Sequence, residues 1–208
     1  MRIGVIGTGN IGGTLARKLS EAGHEVKVAN SRGLDAVREF ASEINAVPAD
    51  IYGAVTDVDA VILSIPFPAV SSLPDGFFSG LPPHVPVNNI LADSLAELGL
   101  PGGSRGRLAV AVAGDHPAAV QITMSLVNDT GFDPVFSGSI AESWRQQPCT
   151  PSYCCDWEAA TMLRAFPLAK KGEGRARLPL LYASFGKLGE APTHEDIIDN
   201  NRAINWPV

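Results

Sequence analysis

The sequence lacks the features that mark whole classes of protein. No apolar stretch approaches the roughly 20 residues needed to span a bilayer, because prolines and serines interrupt every run. Sixteen basic residues stand against 22 acidic ones, and no basic stripe marks a nucleic-acid surface. An apolar strand begins at Arg2, which leaves no room for a signal peptide. We therefore expect a soluble, cytoplasmic protein with neither a membrane nor a nucleic acid as its partner.

Motifs for metal binding and nucleophilic catalysis are also missing. Cys149, Cys154 and Cys155 form no C-x-x-C pair, and no histidine has ligand spacing to them. A structural zinc ion normally needs four ligands, so we expect no metal site. There is no nucleophile elbow or paired-carboxylate pattern, and we name no catalytic residue. Asp115 and His116 resemble a dyad, but Pro117 begins a helix there, which favours a capping role for Asp115.

The most informative motif that is present lies at residues 2–12, which read R-I-G-V-I-G-T-G-N-I-G. An apolar strand runs into G-x-G-x-x-G, helical spacing follows, and a second strand, Glu25 to Ala29, comes at βαβ distance. Gly7 allows the tight turn, Gly9 lets a pyrophosphate approach, and Gly12 lets helix and strand pack closely. The pattern predicts dinucleotide binding, with an ordinary glycine-rich turn as the weaker alternative.

The end of the second strand indicates which dinucleotide binds. NAD-binding units usually carry Asp or Glu there, to accept from the ribose 2′-OH. This chain instead has Asn30, Ser31 and Arg32. A guanidinium matches phosphate oxygens, which favours NADP. The alternative is that Arg32 is solvated in the first turn of the next helix and partly neutralised by Asp35 or a later glutamate.

Several segments together resemble the family of coenzyme F-420-dependent NADP oxidoreductases. They are residues 3–13, 22–26, 29–33, 60–67, 112–115, 131–135 and 141–148. The similarity covers most of the first 157 residues and weakens toward the C-terminus. NADPH-dependent deazaflavin reductases belong to the same family, and the reductase domains of ferric-reducing membrane proteins are more remotely similar. The shared motifs therefore identify the cofactor better than the second substrate.

The resemblance implies hydride transfer between NADP(H) and coenzyme F-420 or a flavin-like acceptor. Such a reaction needs positioning more than acid–base chemistry, because the cofactors carry it. The glycine turn would hold the pyrophosphate, Ser31 and Arg32 the 2′-phosphate, and residues 65–67 would border the nicotinamide. The predicted cofactor-binding residues are Gly7, Thr8, Gly9, Asn10, Ile11, Gly12, Asn30, Ser31, Arg32, Ile65, Pro66 and Ala113. The predicted substrate-cleft residues are Phe67, Asn88 and Asn89, with a core-capping role equally open for Phe67.

One departure from the family lies in the middle of the chain. Family members have a glycine- and tyrosine-rich loop and a further strand before an Asn-Asn pair, whereas here residues 81–87 run directly into Asn88 and Asn89. A strand and its loop are missing or merged. Two other functions therefore stay open. One is a non-redox enzyme or NADP-binding module with a lost or repurposed acceptor site. The other is a reductase of a small organic substrate.

Alternating helical and strand patterns predict one α/β domain, a Rossmann-type doubly wound parallel sheet with a small C-terminal helical extension. We place the NADP-binding domain at residues 1–148 and the extension at 149–208. Two apolar helical stripes in the extension could pack on the sheet or on a partner subunit, so a homodimer is open. Lys170–Gly174 is expected to be an exposed loop, and Thr193 to Asp196 to cap a final helix.

Overall fold

The structure is a computed structural model that describes residues 1–77, 79, 87–88 and 90–206. The chain forms two compact units, Met1–Pro83 and His84–Val208. The division into an NADP-binding domain at residues 1–148 and an extension at 149–208 stays a prediction. We describe each unit by itself.

The first unit is a four-stranded parallel sheet with the strand order β3-β2-β1-β4. Its strands are β1 (Arg2–Ile6), β2 (Glu25–Ala29), β3 (Val47–Pro48) and β4 (Ala60–Leu63), and its helices are α1 (Asn10–Glu21) and α2 (Leu34–Glu43). After Arg2 the central strand β1 is apolar and buried along its length, as is typical of a strand covered on both faces. Ile3 and Val5 of β1 and Val28 of β2 are fully buried. This arrangement confirms the βαβ interpretation and brings the carboxyl ends of β1, β2 and β4 to one edge.

The second unit contains a three-stranded sheet with the order β5-β6-β7. Its strands are β5 (Val87–Asn88), β6 (Ala109–Ala113) and β7 (Asp133–Gly138), with α3 (Ala92–Glu97) and α4 (Pro117–Asp129) between them. β6 and β7 are parallel, as expected, but β5 pairs antiparallel to β6. An antiparallel strand at the edge of an otherwise parallel sheet is common, because an edge strand has only one neighbour to match.

Three helices complete the second unit: α5 (Ala159–Ala165), α6 (Glu173–Phe185) and α7 (His194–Asn205). Met162 of α5 and the following Phe166 pack against Ala109 and Ala111 of β6 and Val135 of β7. The helical extension is therefore part of the same compact unit as β6 and β7. The α/β class with flanking helices and a helical C-terminus is confirmed.

The starts of α6 and α7 differ in how well the sequence predicted them. The capping box at Thr193 is present, since its hydroxyl accepts from the Asp196 N–H and the Asp196 carboxylate accepts from the Thr193 N–H. The prediction of a loop over Lys170–Gly174 is wrong for its last two residues, because α6 begins at Glu173. Gly174 is buried, and a Cβ there would lie 2.7 Å from the carbonyl oxygen of Pro148.

None of the helices within the described residues is long and apolar enough to cross a membrane.

Candidate functional site

The glycine turn joins β1 to α1 and is packed too tightly for larger residues. Gly7 has φ +100°, and a Cβ there would lie 2.0 Å from the Ser64 carbonyl oxygen. A Cβ on Gly12 would lie 1.9 Å from the Gly7 carbonyl oxygen. The Gly7 N–H donates to the Ala29 carbonyl over 2.8 Å, which ties the turn to the end of β2. The first and third glycines therefore have the packing roles that the motif predicts.

Gly9 differs from the other two because it faces open space. A Cβ there would meet no protein atom within 4 Å. Gly9 precedes α1, whose start has no side-chain cap and no acidic residue in its first turn. The first N–H groups of a helix have no partner within the helix, and its N-terminus carries a partial positive charge. An open, uncapped helix start of this kind fits the pyrophosphate of a dinucleotide.

The end of β2 places Asn30, Ser31 and Arg32 next to this turn. The Arg32 backbone N–H donates to Asn30 Oδ1 over 2.9 Å, and both Ser31 and Arg32 are exposed. Asp35 pairs with Arg38 at 2.9 Å, so it does not neutralise Arg32. Among the residues that the structure describes, none forms an ion pair with Arg32. The guanidinium is therefore available for an anionic ligand, as a 2′-phosphate site requires.

The segment after β4 borders the same turn. The Ser64 N–H donates to the Ile6 carbonyl over 2.8 Å, and half-buried Ile65 packs against the core cluster that contains Ile6 and Ala29. Pro66 is exposed, and Phe67 is 89% exposed at the start of the 3₁₀ segment Phe67–Ser72. This exposure contradicts the core-capping alternative for Phe67. Its role beside the nicotinamide stays a prediction.

The remaining predicted site residues lie in the second unit. Ala113 ends β6 and is fully buried. In β5 the backbone of Asn88 pairs with that of Ala111 in β6. Asn89 lies outside the described residues, as does most of the shortened segment 81–89. The assignment of these three residues to the cofactor site or the substrate cleft stays a prediction.

Sequence reasoning missed two features of the turn. Ser64 forms one wall, with its carbonyl oxygen against Gly7 and its Cβ 2.9 Å from the position of a Cβ on Gly12. Its position directly after the apolar strand β4 could have indicated this. Asn30 donates from Nδ2 to the Thr8 hydroxyl over 3.2 Å, which links the two predicted phosphate sites. No periodicity or spacing in the sequence indicates that contact.

A second polar cluster, also missed, joins three distant parts of the second unit. Ser94 Oγ donates to the Asp156 carboxylate over 2.8 Å, and His194 Nε2 lies 2.9 Å from Oδ2 of the same carboxylate. In a nucleophilic triad the histidine stands between the hydroxyl and the acid. Here the Ser94 hydroxyl donates its hydrogen bond directly to the Asp156 carboxylate, and His194 Nδ1 has no partner among the described residues. The cluster is therefore an arrangement of paired polar groups and not a hydrolytic triad.

The surroundings of the cysteines and of Asp115 indicate structural roles. Cys149, Cys154 and Cys155 are free and buried. Burial raises the pKa of both the Cys154 and Cys155 thiols to about 12. Within the described ranges no group of three histidine, cysteine or acidic residues could hold a metal ion. Asp115 does not cap α4, since its Oδ1 accepts from the Ile140 N–H over 3.1 Å and the start of α4 has no side-chain cap.

Comparison with known proteins agrees with this geometry. The family model described as "NADP oxidoreductase coenzyme F420-dependent" matches residues 2–92. Protein YjhV of Escherichia coli (strain K12) is 94% identical over 109 residues, which are 52% of this chain and 80% of YjhV. The chain belongs to the family of coenzyme F420-dependent NADP oxidoreductases. The matched residues include the glycine turn, the end of β2 and the segment after β4.

Solved structures show that this family member shares its fold with proteins of low sequence identity. Hypothetical protein SMa0349 of Sinorhizobium meliloti has a TM-score of 0.60 and 21% identity, covering 76% of this chain and 95% of its own. A protein of Arthrobacter sp. FB24, provisionally described as an F420-dependent NADP-reductase, has a TM-score of 0.55 and 20% identity, covering 92% and 96%. The chain has the Rossmann-like fold of NADP-dependent oxidoreductases.

Proposed function

We propose that this family member transfers a hydride between NADP(H) and an acceptor of the deazaflavin or flavin class, with coenzyme F-420 as the first candidate. The observation that carries the proposal is the pair of anion sites in the first unit. The uncapped, open start of α1 fits a pyrophosphate, and the exposed Arg32 fits a 2′-phosphate. Family membership links such a pair to NADP-dependent redox chemistry.

The predicted phosphate-binding residues of the first unit each have a definite role in this proposal. The N–H groups at the start of α1 bind the pyrophosphate, with Gly9 giving it room. Ser31 and Arg32 bind the 2′-phosphate, and the missing carboxylate at the end of β2 removes a repulsion. Bound NADPH supplies the hydride, while the protein supplies binding, orientation and electrostatics. No side chain is asked to transfer a proton.

The acceptor class rests on the family and on Phe67. Its ring is 89% exposed just after β4, on the edge where ligands bind in open parallel sheets. An exposed aromatic ring offers an apolar face to a planar ring system. We propose that Phe67 borders the acceptor and that Ile65 and Pro66 border the nicotinamide, while the substrate-cleft role of Asn88 and Asn89 stays a prediction from the sequence.

The test is NADPH oxidation by the full chain, followed by the absorbance of the reduced nicotinamide, with coenzyme F-420, FMN, FAD and ferric chelates as acceptors. We expect turnover with the deazaflavin or a flavin. Tight NADP binding without turnover on any acceptor would instead favour a binding module. Turnover restricted to small imines or ketones would favour a reductase of organic substrates. Sedimentation of the same preparation tests whether the chain forms the homodimer that its sequence leaves open.

A further inference from the structure

We infer that Asn30 is a positioning residue that couples the pyrophosphate site to the 2′-phosphate site and thereby sets the preference for NADP over NAD. The inference rests on the proposed function, since it concerns how the same nucleotide is held. It assigns Asn30 a role distinct from that of a direct ligand. The carrying observation is that one half-buried amide bonds to both predicted phosphate-binding turns.

The orientation of the Asn30 amide follows from its two partners. The Arg32 backbone N–H can only donate, so the atom that faces it at 2.9 Å must be Oδ1. That places Nδ2 toward the Thr8 hydroxyl, 3.2 Å away. The Asn30 carbonyl also accepts from the Gly33 N–H over 3.4 Å. Asn30 therefore fixes the backbone of the Arg32 turn by its own side chain and its own carbonyl.

The bond to Thr8 determines what the Thr8 hydroxyl can do. A hydroxyl has one proton to donate and lone pairs to accept. Because Thr8 Oγ1 accepts from Asn30 Nδ2, its proton stays available for another acceptor. Thr8 lies inside the glycine turn, directly before Gly9, where the open space begins. The arrangement reserves the Thr8 proton for a pyrophosphate oxygen.

An aspartate at position 30 would reverse both effects. It has nearly the same shape and can still accept from the Arg32 N–H, but its second oxygen can only accept. The Thr8 hydroxyl would then donate to that oxygen and no longer to the pyrophosphate. The carboxylate would also repel a 2′-phosphate, while it could accept from the 2′-OH of NAD. One oxygen-for-nitrogen change at residue 30 thus separates two cofactor preferences.

The experiment measures dissociation constants for NADPH and NADH by direct titration, which needs no acceptor. Thr8→Val should weaken both nucleotides by a similar factor, and Arg32→Ala should weaken NADPH alone. Asn30→Ala should weaken NADPH about tenfold or more, and NADH by a smaller factor. Asn30→Asp should lower the ratio of NADPH to NADH affinity further still. Thr14→Val, whose hydroxyl donates to the Asn10 carbonyl within α1, is the matched control and should change neither constant.

Double variants separate positioning from simple damage. If Asn30 acts through its neighbours, Asn30→Ala combined with Arg32→Ala should cost less NADPH affinity than the product of the two single factors. The same should hold for Asn30→Ala with Thr8→Val. The inference would be overturned, but not the proposed function, by either of two results. One is that the factors by which the single variants weaken NADPH binding multiply in both double variants. The other is an unchanged ratio of NADPH to NADH affinity in a folded Asn30→Asp protein. A wild-type protein that binds no NADPH would overturn the proposed function as well.

Discussion

Asn205, fully buried on α7, donates from Nδ2 to the carbonyl oxygen of Tyr153 over 3.0 Å. Neighbouring side chains of the same helix continue the pattern along the chain. Asn201 donates to the carbonyl of Cys154, and Arg202 donates to those of Cys155 and Asp156. The last helix thereby donates hydrogen bonds to four consecutive carbonyl groups, those of residues 153–156. In a helix or sheet such groups would be paired by the backbone, and here side chains of α7 take that role.

Replacing Asn205 by alanine should remove the amide donor of the Tyr153 carbonyl and leave only the weak thiol donor of Cys155 at 3.1 Å. We expect the free energy of unfolding to fall by about 1–2 kcal/mol, because a buried acceptor then loses its stronger donor. Denaturant titration measures this. Asn200→Ala is the control on the same helix, since Asn200 Nδ2 has no partner among the described residues. Equal losses in the two variants would contradict the role of the carbonyl bonds.

Arg107 is a buried cation of the second unit, with a side chain only 3% exposed. It pairs with the Asp133 carboxylate at 2.6 Å and donates to the Asn128 side chain at 3.0 Å. Arg107→Met should destabilise the protein by about 1–3 kcal/mol, because the Leu100 and Asn128 carbonyls lose a donor, whereas water can solvate the 38% exposed Asp133 side chain. Thermal unfolding is the measurement. Arg105→Met, at an exposed neighbour, should change stability by less than about 0.5 kcal/mol. A mild loss in Arg107→Met would mean that water replaces the guanidinium.

The glycine turn predicts opposite outcomes for two similar variants. Gly12→Ala places a Cβ 1.9 Å from the Gly7 carbonyl oxygen, so it should destabilise the first unit and abolish nucleotide binding together. Gly9→Ala meets no protein atom within 4 Å and has φ −77°, so it should keep its stability. It should still lose NADPH affinity, because the methyl group occupies the approach of the pyrophosphate. Full NADPH binding by a folded Gly9→Ala protein would place the pyrophosphate elsewhere.

Arg32→Ala tests the 2′-phosphate site. A charge-assisted hydrogen bond contributes about 1.5–3 kcal/mol, so the dissociation constant for NADPH should rise about 10- to 100-fold. The constant for NADH should stay the same, as should both constants in Arg17→Ala, whose guanidinium pairs with Glu43 away from the turn. Fluorescence titration of bound nucleotide measures all of them. Equal effects of Arg32→Ala on NADPH and NADH would remove the assignment.

The buried thiols predict a loss of stability in alkali. Burial raises the pKa of Cys154 and of Cys155 from about 9 to about 12. Above pH 9 the unfolded chain releases these protons while the native protein retains them. The stability contribution is therefore complete below pH 9 and is lost as the pH rises toward 12. Denaturant midpoints on both sides of pH 9 measure the slope, which should be shallower in Cys155→Ala. An unchanged slope in that variant would show that Cys155 titrates normally.

Local pattern was enough to predict much of the first unit. Strand β2 has the predicted bounds, Glu25–Ala29, and the glycine turn has the predicted backbone, with φ +100° at Gly7. The capping box at Thr193 is also as predicted. Each of these depends on residues close together in sequence, where steric limits, hydrogen-bonding capacity and apolar periodicity act directly.

Contacts between distant residues could not be predicted in this way. The sequence determined the parallel βαβ unit, the family and the residue types at the two proposed anion sites. Only the tertiary structure decided that Asn30 bonds Thr8, that Asp115 bonds Ile140, and that Asp156 meets a serine 62 residues away. It also left Phe67 exposed, although an apolar residue after a buried strand is as often part of the core. Such contacts depend on how whole elements pack, and packing is set by the shapes of many side chains together rather than by any local pattern.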